Sequence, residues 1–157
     1  MEWRKFSGEK LLLPLEIAVE NAIIKEIGEG NRLKICIGSD SQIKGKITEF
    51  ASVIVFLREK KGGFMYFSNH LSDVKMGIKE RMITEVSNSI QVAYSLCSIL
   101  EKYDVELEVH ADINTDPGFK SNVALKDAMG YILGMGFVFK AKPEAFASSS
   151  CADRIVQ

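Results

Sequence analysis

The chain has 157 residues, of which 46% are hydrophobic and 26% charged, with a formal net charge of −1. That size and composition predict one soluble globular domain with a single sizeable core. The near-neutral balance excludes the global basic field of a nonspecific polyanion binder, while leaving room for a local basic groove. Cys36, Cys97 and Cys151 are widely spaced with no CxxC pair, so neither a disulfide framework nor a zinc knuckle is expected. Met1 to Gly8 contains no apolar signal core and no run reaches transmembrane length, which predicts a cytoplasmic protein with no membrane partner.

In chain order, Pro14 opens a helix expected from about Leu15 to Glu29, with Ile17, Ile24 and Ile27 among its apolar positions and Gly28 or Gly30 at its end. Leu33 to Gly38 is short, apolar and rich in isoleucine, as befits a strand buried on both faces. Phe50 to Leu57 is a second strand, and Arg58 to Gly63 reads as a hairpin turn returning through a third strand, Phe64 to Asn69. From Ile78 to about Tyr103, apolar residues recur at steps of three and four, predicting a long amphipathic helix. Val105 to Ile113 is a fourth strand, although Glu106, Glu108 and His110 make one of its faces polar. After the turn at Asp116-Pro117-Gly118, Ser121 can cap a helix running to Gly134 or Gly136. Phe137 to Ala141 is a fifth strand, and a last helix starts near Ser148-Ser149-Ser150 and runs past Asp153. This order predicts one α/β unit: a mixed five-stranded sheet flanked by helices, with residues 1–31 as an N-terminal helical extension and 32–157 as the main domain.

Four carboxylates stand out against this frame. Asp40 follows the first apolar strand, Asp112 follows the fourth, Glu85 lies on the long helix and Asp153 in the last segment. Acids that follow buried runs need pairing or a metal, because an isolated buried charge is costly. Carboxylates converging from separate elements suit two hard divalent cations. In an open α/β sheet, ligands gather beyond the carboxyl ends of parallel strands, so Asp40 and Asp112 share one cation if their strands are parallel neighbours. Glu80 also lies on the long helix. At about 100° per residue Glu85 falls roughly 80° from the centre of the apolar stripe and Glu80 roughly 140°, so Glu85 borders the sheet and Glu80 faces solvent. Any one of these acids alone reads as a turn, cap or solvated residue.

Together, their order and element types resemble the ribonuclease H-like superfamily. Gly38-Ser39-Asp40-Ser41-Gln42 resembles its first-strand motif and Cys151-Ala152-Asp153-Arg154-Ile155-Val156 its closing segment. Ile37 to Gln42, His110-Ala111-Asp112-Ile113-Asn114 and Lys120-Ser121-Asn122 resemble the YkuK-like family within it. The resemblance covers about Arg32 to Gln157. It does not extend to a histidine in the stretch before the last helix, Ala141 to Ser148, nor to a separate hybrid-binding module.

What the resemblance implies is a nuclease using two Mg²⁺ or Mn²⁺ ions. Asp40 would bridge both ions, Asp112 and Glu85 would hold one, and Asp153 would complete the other. Its partner would be nucleic acid, whether RNA, DNA or hybrid. Ser41, Gln42, Lys120, Ser121 and Asn122 would contact the substrate, with Lys44 and Lys46 close by; Ser121 and Asn122 open a helix whose free N–H groups suit a phosphate. The rival expectation is a nucleic-acid-binding or scaffold module of the same fold without turnover. No feature of the sequence fixes the oligomeric state.

Overall fold

The computed structural model describes residues 1–111, 123–141 and 144–157. Its centre is a six-stranded sheet in the order β1-β4-β3-β2-β5-β6. The strands are β1 (Arg4–Lys5), β2 (Leu33–Lys44), β3 (Ile47–Arg58), β4 (Gly63–Ser72), β5 (Glu106–His110) and β6 (Val138–Lys140). β3 runs antiparallel to both β2 and β4, whereas β2, β5 and β6 are parallel. The helices are α1 (Leu15–Gly28), α2 (Ile78–Lys102), α3 (Val123–Gly134), then a π-helix (Ala147–Ala152) that runs into α4 (Asp153–Val156). No helix among the described residues is long and apolar enough to cross a membrane.

The mixed sheet with helices on its faces is as expected, but the sheet has six strands rather than five. The addition is β1, where Arg4 and Lys5 pair with Phe67 and Tyr66 of β4. Two residues are too few for a period of two to register in a sequence. β2 also runs further than its apolar core. Asp40 lies within it, opposite Ala51, and the β2–β3 ladder continues to Lys44 and Ile47. The mostly polar stretch Ser39 to Lys44 looks like the end of a strand, yet it pairs with β3 throughout. Gly45, at φ 66°, makes the tight turn that closes this ladder.

Alternation divides the core between the two faces. On one, Ile35, Ile37, Ile54 and Phe56 pack with Ile90, Ala93, Leu96 and Leu100 of α2 and with Val19 and Ile23 of α1. On the other, Cys36, Val53 and Val55 meet Ala147 and Ala152, with Cys151 and Ile155 alongside. Burying each large aliphatic side chain is worth about 1.5–3 kcal/mol, so the α2 face dominates the stability. Of the apolar positions of α1, Ile17, Ile24 and Ile27 are about half exposed, while Val19 and Ile23 are fully buried. The helix carries isoleucine on both sides, and the sheet selects one.

Candidate metal and nucleic-acid site

The site is built where β2 leaves the parallel part of the sheet. Among the described residues the β2–β5 pairing runs to Gly38 opposite His110, and β2 carries Asp40 two residues further on. Ser39 faces α2, since Ser89 Oγ of that helix donates to Ser39 Oγ at 2.7 Å. Asp40 therefore points to the opposite face, which also holds Cys36 and the C-terminal helices.

Three of the four expected carboxylates lie within the described residues, and all three are half-buried. Asp40 Oδ1 accepts the backbone N–H of Ser41 at 2.9 Å. Glu85 is approached from the α2 face, where its Oε1 accepts the hydroxyl of Ser41. Glu80 is exposed, as its helical angle implies. Ser41 thus stands between two carboxylates that come from opposite sides of one strand. Asp153 is the first residue of α4, next to the fully buried Ala152, on the face of Asp40; its Oδ2 accepts Gln157 Nε2 at 2.6 Å. Asp112, Lys120, Ser121 and Asn122 lie outside the described residues. Ala111, which precedes Asp112 in the chain, donates its N–H to Lys140 O at 2.8 Å, so the parallel pairing continues to the last described residue of that segment.

Of the other expected contacts, Gln42 is exposed beyond Asp40, opposite Glu49. Ser41 is buried and its hydroxyl is engaged by Glu85. Lys44 pairs with Glu49, a buried carboxylate that also accepts Asn69 Nδ2 at 2.8 Å. Burial pushes Glu49 up, but Lys44 and Asn69 outweigh it and hold the carboxyl below its ordinary range. Arg58, at the β3–β4 hairpin, grips Glu26 with Nε and Nη2, each at 2.8 Å.

The polar face of β5 has its own explanation. His110 is 1% exposed, and its Nδ1 accepts the N–H of Ala147 at 3.0 Å. A ring nitrogen that accepts an N–H carries no proton, so the proton sits on Nε2, which donates to Glu108 Oε1 at 3.0 Å. Glu108 Oε2 accepts Lys34 Nζ at 2.9 Å. Burial lowers the His110 pKa against the pull of Glu108, keeping the ring neutral. Ligand atoms of Cys36, Glu108 and His110 all lie within 4.8 Å of one another, a grouping that in other settings holds a metal. Here the histidine has no lone pair left for an ion, Lys34 occupies the carboxylate, and burial pushes the Cys36 thiol up to about 12. The group is a closed hydrogen-bond network. It ties β2 and β5 to the start of the π-helix, and so to the segment carrying Asp153. In the sequence His110 shows only as part of a polar strand face; its partners become visible when the strands are paired.

The sequence profile of the ribonuclease H-like family matches residues 18–157. The chain belongs to the ribonuclease H-like family. Within it the chain is YkuK-like: it is 26% identical over 137 residues to the uncharacterized protein YkuK of Bacillus subtilis strain 168, covering 78% of each chain. Two solved structures show more distant likeness. Ribonuclease H1 of the halophilic archaeon Halobacterium salinarum NRC-1 is 11% identical, with a TM-score of 0.38 over 73% of this chain and 89% of that one. LC11-RNase H1, solved with an RNA/DNA hybrid, is 15% identical, with a TM-score of 0.35 over 79% of this chain and all of that one. The family assignment rests on the profile match.

Proposed function

We propose that this chain is a divalent-metal-dependent nuclease whose site is Asp40, Glu85, Asp112 and Asp153. The observation that carries the reading is that Ser41, beside the end of the described β2–β5 pairing, binds Glu85 through its hydroxyl and Asp40 through its amide. The donor set fits the cations. Partly exposed carboxylate oxygens are hard ligands suited to Mg²⁺ or Mn²⁺, whereas the nearby Cys36–Glu108–His110 group is fully spent on its own hydrogen bonds. A bound pair of such ions would supply an activated water and stabilise the leaving oxygen of a phosphodiester. The protein's part is to hold them: Asp40 centrally, Glu85 and Asp112 on one side, Asp153 on the other. Gln42, Lys120, Ser121 and Asn122 would contact the nucleic acid, and residues 1–31 would form an extension on the main 32–157 domain.

The test is cleavage of labelled single-stranded RNA, duplex DNA, RNA/DNA hybrid and a four-way junction, with Mn²⁺, Mg²⁺ or chelator. Asp40→Asn and Glu85→Gln should each lower the metal-dependent rate by about 100-fold or more, since losing even an outer partner of a metal ligand costs about 10–100-fold. A wild-type protein inert on every substrate with either ion would overturn the nuclease reading. If that inert protein still bound Mn²⁺, the same fold would serve as a binding module.

A further inference from the structure

Two hydrogen-bonded rungs join α2 to β2. In one, Ser89 Oγ donates to Ser39 Oγ at 2.7 Å, and Ser39 Oγ lies 2.8 Å from Ser52 Oγ of β3. In the other, the Ser41 hydroxyl donates to Glu85. Glu85 and Ser89 are one turn apart on the helix, and Ser39 and Ser41 are neighbours on one face of the strand. Four helical residues rise about 6 Å and two strand residues about 6.6 Å, so both rungs close together only at one axial position of α2. Val86, Ile90 and Ala93 add apolar contacts to this interface. Apolar contacts tolerate sliding by a turn; buried hydroxyl pairs do not, because an orphaned buried hydroxyl costs more than the bond contributes. Ser39, Ser52 and Ser89 are all at least 95% buried.

Resting on the site reading above, we infer that Ser41, seated above the Ser39–Ser89 rung, is a positioning residue that holds the Glu85 carboxylate for a divalent cation. Its hydroxyl orients the helix carboxylate and its amide orients the strand carboxylate. This replaces the substrate contact that the family resemblance implies for Ser41. The chemistry is that of an outer partner to metal ligands, whose loss costs about 10–100-fold in metal affinity.

Mn²⁺ alone, titrated calorimetrically into the full chain, tests the inference without relying on catalysis. Ser41→Ala should weaken Mn²⁺ binding by about 10–100-fold, and Ser41→Thr, which keeps the hydroxyl, should restore an affinity near wild type. The metal-free melting transition of each variant reports on the fold alone. A purely structural serine would lower that transition and leave Mn²⁺ affinity unchanged; this result overturns the inference. If Ser41→Ala shows no folded transition, Ser41→Cys, close in size with a weaker donor, replaces it, and wild-type affinity there is equally fatal. A wild-type protein with no saturable Mn²⁺ binding sinks the site itself, and the positioning role with it.

Discussion

A carboxylate inside a folded protein has to be accounted for one atom at a time, and Glu26 shows how. It is 4% exposed on α1, and accepts from Arg58 Nε and Nη2 and from Asn31 Nδ2, each at 2.8 Å. Arg58 first, then Asn31, hold its carboxyl below the ordinary value of 4.5, against the opposing push of burial. Because the native value is the lower one, the unfolded chain takes up the proton first as pH falls. The pair therefore contributes its full stability above about pH 4.5, and loses it as pH drops through the lowered native value. Urea melts from pH 7 to pH 3 should show this fall, superposed on those of Glu49 and Glu108, whose carboxyls are also lowered. Glu26→Gln should cost about 3 kcal/mol at pH 7, the lower end for a broken buried pair, because Arg58 is 27% exposed and can turn to water. It should also flatten the acid slope; an unchanged slope would show that the pair has no linkage to folding. At this scale the sequence is only half legible. Asp40, Glu85 and Asp153 show themselves because a charge interrupts an apolar pattern or ends it. Ser39 and Ser89 do not, since small hydroxyls disturb neither a strand nor a helix period, and Ser41 enters only through the family resemblance, as a substrate contact.

Elements were legible in proportion to their periodicity. The stripe through Val86, Ile90, Ala93, Cys97 and Leu100 defines α2 from either view and is buried, whereas Ile78 and Met82 at its start are exposed. β2 was cut short at Gly38 because hydrophobicity, the usual guide, fades there. What continues the strand is hydrogen bonding to β3, which costs the sequence nothing in apolar residues. The isoleucines of α1 show the opposite limit: an apolar residue is often left exposed, so Ile17, Ile24 and Ile27 carry little directional information. The β3–β4 hairpin yields a prediction of its own. A Cβ added at Gly63 would lie 2.3 Å from the carbonyl oxygen of Phe56, a backbone atom that cannot swing aside. Gly63→Ala should cost about 1–3 kcal/mol, the usual range for overpacking, read as a lower urea midpoint with unchanged slope. A midpoint equal to wild type would mean that the two strands do not approach this closely.

At the scale of the whole molecule, the question is whether the N-terminal residues are an appendage or part of the core. The family match begins at residue 18, so Trp3 and β1 precede it. Yet Trp3 is buried in the same hydrophobic cluster as Val19 and Ile23 of α1 and Leu96 of α2. The Tyr66 that β1 pairs with is in that cluster too. We propose that residues 1–31 and 32–157 fold as one cooperative unit, because neither side of that cluster keeps its burial without the other. Trp3 is the one tryptophan of the chain, so its fluorescence reports on the extension by itself. Far-ultraviolet circular dichroism is dominated instead by helices such as α2. In urea, the red shift of Trp3 should coincide with the loss of helix in a single two-state transition. Trp3→Ala should lower the helix midpoint by the equivalent of about 3–5 kcal/mol, as for a large aromatic removed from a core. A tryptophan transition that precedes the helix transition, or a helix midpoint indifferent to Trp3→Ala, would make the extension a separate and weaker layer. The metal site would then have to be stable without it.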